Sequence, residues 1–145
     1  MPTNEGKYNG KIALVTGASR GIGTEIAKKL AAGGAKFIGV HYASNREAAL
    51  RVVADIEKMG SKAVALEADL TTGISGIRKL WSAFEDAVRL EFGNVHLDIL
   101  INNVGIGPPD SFEETSIEMY EDVMNVNLKT PFFITYGLNA NDVLK

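Results

Sequence analysis

At 145 residues, with 46% apolar and 23% charged side chains, the chain has the balance of one globular domain, long enough for a core but short for a complete α/β enzyme. A net charge of −3 and a pI of about 5.4 exclude the basic surface that nucleic acid or an anionic membrane would require. The absence of cysteine excludes disulfides and thiolate metal sites, no apolar run is long enough to cross a bilayer, and the polar first ten residues are unlike a signal peptide. Together these features predict a cytoplasmic protein with no metal, membrane or nucleic-acid partner.

Residues 1–9 read as a loosely held polar lead-in. Lys11-Ile12-Ala13-Leu14-Val15 is a short apolar run of the kind that forms a buried parallel strand. Thr16-Gly17-Ala18-Ser19-Arg20-Gly21-Ile22-Gly23 follows, and then Ile22, Ile26 and Leu30 recur at helical spacing beside Gly23, Ala27 and Ala31. The stretch is a strand, a tight glycine turn and a helix closing at Gly33-Gly34. In that context Gly17 permits a sharp turn, Gly21 lets a pyrophosphate approach the backbone, and Gly23 lets the helix pack close to the sheet. The unpaired N–H groups and dipole of the helix start favour phosphate. An ordinary strand-to-helix turn is the competing reading, whereas a nucleotide P-loop is excluded because no Lys-Ser or Lys-Thr follows the last glycine.

A second strand is predicted over Lys36-Phe37-Ile38-Gly39-Val40-His41, and Ser44-Asn45-Arg46-Glu47 has capping-box spacing ahead of a helix with Ala49, Val52, Val53, Ile56 and Met59 on one face. Ala63-Val64-Ala65-Leu66 is a third strand. Ile77, Trp81, Phe84 and Val88 form the inner face of a third helix, and Leu97-Asp98-Ile99-Leu100-Ile101 is a fourth strand. The Trp and Met residues read as core. After Pro108-Pro109, Thr115-Ser116-Ile117-Glu118 is a second capping box, with Met119, Val123, Val126 and Thr130 on one face before Pro131. Alternating strands and helices predict an α/β fold, a Rossmann-like three-layer α/β/α domain over residues 1–145. Its parallel sheet would have the strand order 3-2-1-4, with ligand bound at the strand C-termini between strands 1 and 4.

Thr-Gly-x-x-x-Gly-x-Gly after the first strand resembles the short-chain dehydrogenase/reductase family, and three later motifs fall on the matching elements. Asp69-Leu70 follows the third strand, where the family's aspartate bonds adenine. Asn102-Asn103-Val104-Gly105 follows the fourth and is similar to the family's Asn-Asn-Ala-Gly, with Val replacing Ala. Asn127, in Asn125-Val126-Asn127-Leu128, matches the helical asparagine of the family's catalytic tetrad. Taken one at a time, Asp69 could equally cap a loop, and Asn102 and Asn103 could satisfy turn backbone. The resemblance covers the chain to about Ile134 and implies hydride transfer between a nicotinamide dinucleotide and a small-molecule carbonyl or alcohol. Cofactor contacts would come from Gly17, Ser19, Arg20, Gly21, Ile22, Gly23, Ser44, Asp69, Leu70, Asn103 and Gly105, with Asn127 in the catalytic group.

The resemblance also implies a serine and a tyrosine with a lysine four residues on, all beyond this helix; Tyr136 is followed by Ala140 instead. The expectation is a cofactor-binding part cut off before its acid–base machinery, inactive by itself. A non-catalytic dinucleotide-binding or interaction fragment is the alternative. NADP(H) is expected over NAD(H), because the second strand ends in His41, Tyr42, Ala43 and Ser44 where NAD enzymes place an acid. Arg20 would reach the 2′-phosphate as a charge-assisted donor, as in the family's NADP members, and the Ser44 hydroxyl would add to it. His41 lies where it could touch cofactor, and His96 reads as a solvated loop residue. Gly107-Pro108-Pro109 reads as a stiffened loop or a border of the substrate pocket. Pro131 would either kink the helix at Asn127, freeing its carbonyl for a catalytic water, or end it. An open edge at the fourth strand and an uncovered last helix would favour homo-oligomers.

Overall fold

The computed structural model describes residues 6–107 and 111–137. The proline pair at 108–109 and the tail from 138 lie outside that range. Four strands, β1 (Ile12–Val15), β2 (Phe37–Tyr42), β3 (Lys62–Glu67) and β4 (Ile99–Ile101), form one parallel sheet in the order β3-β2-β1-β4. The helices between them are α1 (Gly21–Ala32), α2 (Arg46–Lys58) and α3 (Ile74–Phe92). After β4 come α4 (Ile117–Met124) and α5 (Thr130–Gly137), joined by a π-helical turn at Asn125–Lys129.

Alternation along the strands sends side chains to two cores. Ala13 and Val15 of β1 join Ile38, Val40 and Tyr42 of β2 beneath α1 and α2, together with Ala27, Ala31, Val52 and Ile56. Ile12 and Leu14 point to the other face, into Phe37, Leu66, Ile77, Leu80, Phe84 and Val88 beneath α3, with Ile134 of α5 at its end. Edge-to-face contacts of Phe37 with Phe84 (6.3 Å between centroids) and Phe92 (5.8 Å) fix α3 on that face. β1 and β2 are buried throughout, whereas β4 is only half-buried along its length.

Several local expectations shift. α1 buries Gly23, Ala27, Leu30 and Ala31 and leaves Ile22 74% exposed, so the small-residue stripe rather than Ile22 is the packing face. Asn45, not Ser44, caps α2 by accepting from the Ala48 N–H, and Ser116, not Thr115, caps α4 by accepting from that of Met119. Met59 is the exposed end of α2 rather than core. Pro131 does not end the last helix. The chain widens into the π turn just before it, with Oγ1 of Thr130 donating to the Asn125 carbonyl at 2.9 Å, and continues helical to Gly137.

Candidate functional site

The C-terminal ends of β1, β2 and β4 open into a cavity of about 580 Å³. Gly17, Ser19, Arg20, Gly21 and Ile22 line one wall; Tyr42, Ala43, Ser44 and Asn45 form the β2 end; Asn103, Val104, Gly105 and Ile106 close the β4 side. Of the residues expected to hold a cofactor, Gly17, Ser19, Arg20, Gly21, Ile22, Ser44, Asn103 and Gly105 are thus brought together.

The glycine turn is held from every side. Gly17 turns at φ +63°, a left-handed conformation that L side chains rarely adopt. Gly23 sits so close beneath it that a Cβ would lie 2.3 Å from the Gly17 carbonyl oxygen and 2.6 Å from Nδ2 of Asn103. That Nδ2 donates to the carbonyls of Thr16 (3.0 Å) and Gly17 (3.1 Å). The buried Thr16 hydroxyl accepts from the N–H groups of Asn103 and Val104 and donates to the Ile101 carbonyl. Asn103 therefore spends its amide on turn backbone, one of the two readings its motif allowed. Asn102 instead reaches Oγ1 of Thr135 on α5.

With the turn satisfied, the donors left over are those of the α1 start. Arg20 stands at its N-cap in extended conformation, and no side chain caps it, so the first-turn N–H groups lack the partners a helix interior would supply. Among the described residues Arg20 makes no ion pair, and no carboxylate lines the cavity. Free backbone donors and a positive dipole end beside the Arg20 side chain suit an anion. The residues present therefore fit a dinucleotide's pyrophosphate.

Three of the expected residues do not line the cavity: Gly23, which packs beneath the turn, and Asp69 and Leu70. Asp69 caps the short 3-10 turn Leu70–Thr72, accepting from the N–H and hydroxyl of Thr71 at 3.0 and 2.7 Å, and Leu70 is buried in the core under α3. Asn127 pairs both its amide groups with Ile106: Oδ1 accepts its N–H at 2.9 Å and Nδ2 donates to its carbonyl at 2.7 Å. Asn125, two residues earlier on the π turn, donates to the Thr71 carbonyl at 2.8 Å. The π turn thus holds the loops after β3 and β4 with one asparagine each. Sequence reasoning missed the roles of Asn125 and of Tyr42 and Asn45; the Asn-x-Asn repeat was a signal for the first.

His41 is not exposed to the cavity as a ligand would be, being only 1% accessible although it borders the space. Burial lowers its pKa from 6.5, more than the bond to the Ala68 carbonyl raises it.

The comparisons agree with this geometry. Residues 11–141 match the family model for short chain dehydrogenases. The chain belongs to the short-chain dehydrogenase/reductase family. It is 44% identical over 125 residues to the hydroxynaphthalene reductase-like protein Arp2 of Metarhizium brunneum, covering 86% of this chain and 44% of that one. With the short chain dehydrogenase/reductase nsrJ of Aspergillus novofumigatus, identity is 40% over 134 residues, 92% of this chain and 48% of the relative. Among solved structures, the angucycline C-6 ketoreductase LanV with bound NADP superposes with a TM-score of 0.86 at 42% identity, over 92% of this chain and 51% of LanV. The chain spans about half the length of these relatives. The family match extends past Ile134, where the motifs alone had placed its limit. Among the described residues, no helix is long and apolar enough to cross a membrane.

Proposed function

We propose that this chain is the dinucleotide-binding part of an NADP(H)-dependent oxidoreductase acting on a small-molecule carbonyl or alcohol. Bound there, the cofactor would supply hydride. The chain's own part is to hold it: the α1 N–H groups and Gly21 at the pyrophosphate, Arg20 and Ser44 at the 2′-phosphate, and Gly105 and Ile106 along the β4 side. The observation that carries the choice of NADP(H) is the β2 end, where Tyr42, Ala43, Ser44 and Asn45 face Arg20 with no acid to repel a phosphate. LanV, and a Burkholderia cenocepacia short chain dehydrogenase that is 39% identical, were both crystallised with NADP, which supports the same choice.

No tyrosine in residues 1–145 is followed four residues later by lysine: Tyr8, Tyr42, Tyr120 and Tyr136 are followed by Ile12, Arg46, Met124 and Ala140. The chain alone is accordingly proposed to bind dinucleotide without reducing substrate, with Asn127 contributing position rather than proton transfer. The half-buried β4 edge and the exposed Leu128, Phe132 and Tyr136 favour self-association, which sedimentation over a concentration series would reveal. Titrating NADPH and NADH into the Arg20→Ala variant tests the cofactor assignment. Losing one charge-assisted bond should weaken NADPH about tenfold and NADH less than about twofold. Equal losses would refute the assignment.

A further inference from the structure

The ends of three neighbouring strands, β1, β2 and β3, meet at a single imidazole. Nδ1 of His41 accepts the Gly17 N–H at 3.0 Å, and Nε2 lies 3.0 Å from the Ala68 carbonyl beyond β3. An amide N–H only donates and a carbonyl only accepts, so the two bonds admit one state of the ring: neutral, with its proton on Nε2. The backbone of the same residue accepts the Ala18 N–H at 2.9 Å. His41 is therefore bonded on both sides of the residue that makes the sharp turn, and its ring spans from β1 to the end of β3. We propose that His41 is the positioning residue of the dinucleotide site, holding the glycine turn in its binding conformation only while its ring is neutral.

Protonation would set a second N–H donor against the Gly17 N–H, and the turn could keep its place only by giving up a buried bond. Among the described residues, no charged group bonds the ring to offset this. Among the described residues, the charged and titratable groups at this end of the sheet are Arg20 of the turn, Tyr42 and Arg46 after His41, and Glu67 and Asp69 at the end of β3. Glu67 is bonded to Tyr42 and Lys79, and Asp69 to Thr71. The folded ring's pKa lies below the ordinary 6.5, so an unfolded chain takes up the proton first as pH falls. The stabilising effect is complete above about pH 6.5 and declines as pH falls below it toward the folded value.

The inference rests on the dinucleotide reading, and the test separates the two. Nitrogen-detected NMR of the cofactor-free chain should show His41 as the Nε2–H tautomer at neutral pH, still neutral where an ordinary histidine is half-protonated. NADPH titrations at successively lower pH, read against the NMR titration of the ring, should show binding that weakens as His41 takes up its proton, by roughly tenfold once the ring is fully protonated. His41→Asn, whose amide offers an acceptor and a donor without a titrating proton, should bind NADPH with a flattened pH profile. His41→Leu should bind weakly throughout the pH series. An Nδ1–H tautomer, titration near 6.5, or an equal pH dependence in His41→Asn would overturn the role of His41. Failure of NADPH to bind at any pH would overturn the dinucleotide reading, while the tautomer and titration would still decide what holds the turn.

Discussion

The two ends of the sheet use the same groups to opposite purpose. At the N-terminal end, Asp98 closes every bond within reach: its Oδ2 accepts the Ile12 N–H at 2.9 Å, its own N–H donates to the Ile12 carbonyl, and Lys11 and His96 approach its Oδ1 at 3.1 and 2.9 Å. At the C-terminal end, the glycine turn is bonded as tightly beneath, yet the face above it keeps uncapped N–H groups, Arg20 without an ion pair and an open cavity. The first end contributes stability. The second uses stability made below it to keep donors free for an anion.

The comparison is broken most severely at Gly23. A Cβ there would meet backbone at 2.3 Å, so Gly23→Ala must displace either α1 or the turn. Overpacking against backbone should cost about 3 kcal/mol or more. NADPH affinity should fall at least about 100-fold in the same titrations, well beyond any loss from Arg20→Ala. Asp98→Ala tests the other end. It removes the acceptor of the Ile12 N–H and should cost about 2 kcal/mol in denaturant unfolding. NADPH affinity should stay within about twofold of the parent chain, because the clamp lies across the sheet from the cavity.

The two ends should also separate by pH. Burial would raise the pKa of Asp98, but the bonds from Ile12, His96 and Lys11 overcome it and hold the value at about 2, below the ordinary 3.8. Between those values the folded state binds fewer protons than the unfolded one, so this contribution is present above about pH 4 and lost as pH falls toward 2. Asp98→Asn should flatten thermal stability in that acid window and leave the window governed by His41 unchanged. The smallest effect expected is that of Asn127→Leu, which strips both partners from Ile106 in an exposed loop. It should weaken NADPH about threefold with little change in melting temperature.

The layout of the sheet was legible because four apolar runs alternate with 3.6-residue periodicity, and parallel crossovers leave few arrangements for that order. The glycine turn was legible because Gly17 and Gly23 answer to local geometry. What sequence could not show is long-range bonding. His41 reads as a polar strand end near a ribose, yet its bonds go to residues 24 and 27 positions away and bury it. Asp69 and Asn103 match motifs associated with cofactor, yet their side chains satisfy nearby backbone first. Ile22 has core spacing but lies on the cavity side, because the helix rolls its glycine and alanines onto the sheet. Pro131 reads as a break, and the π turn ahead of it absorbs the fault.

The most direct measurement is the pattern of backbone amide shifts when NADPH is added to the isotope-labelled chain. The contrast between the two ends predicts large shifts at Ser19, Arg20, Gly21, Ile22, Ser44 and Gly105, and none at Ile12, His96 or Asp98. Shifts centred on the Asp98 end, or spread evenly over both, would contradict it.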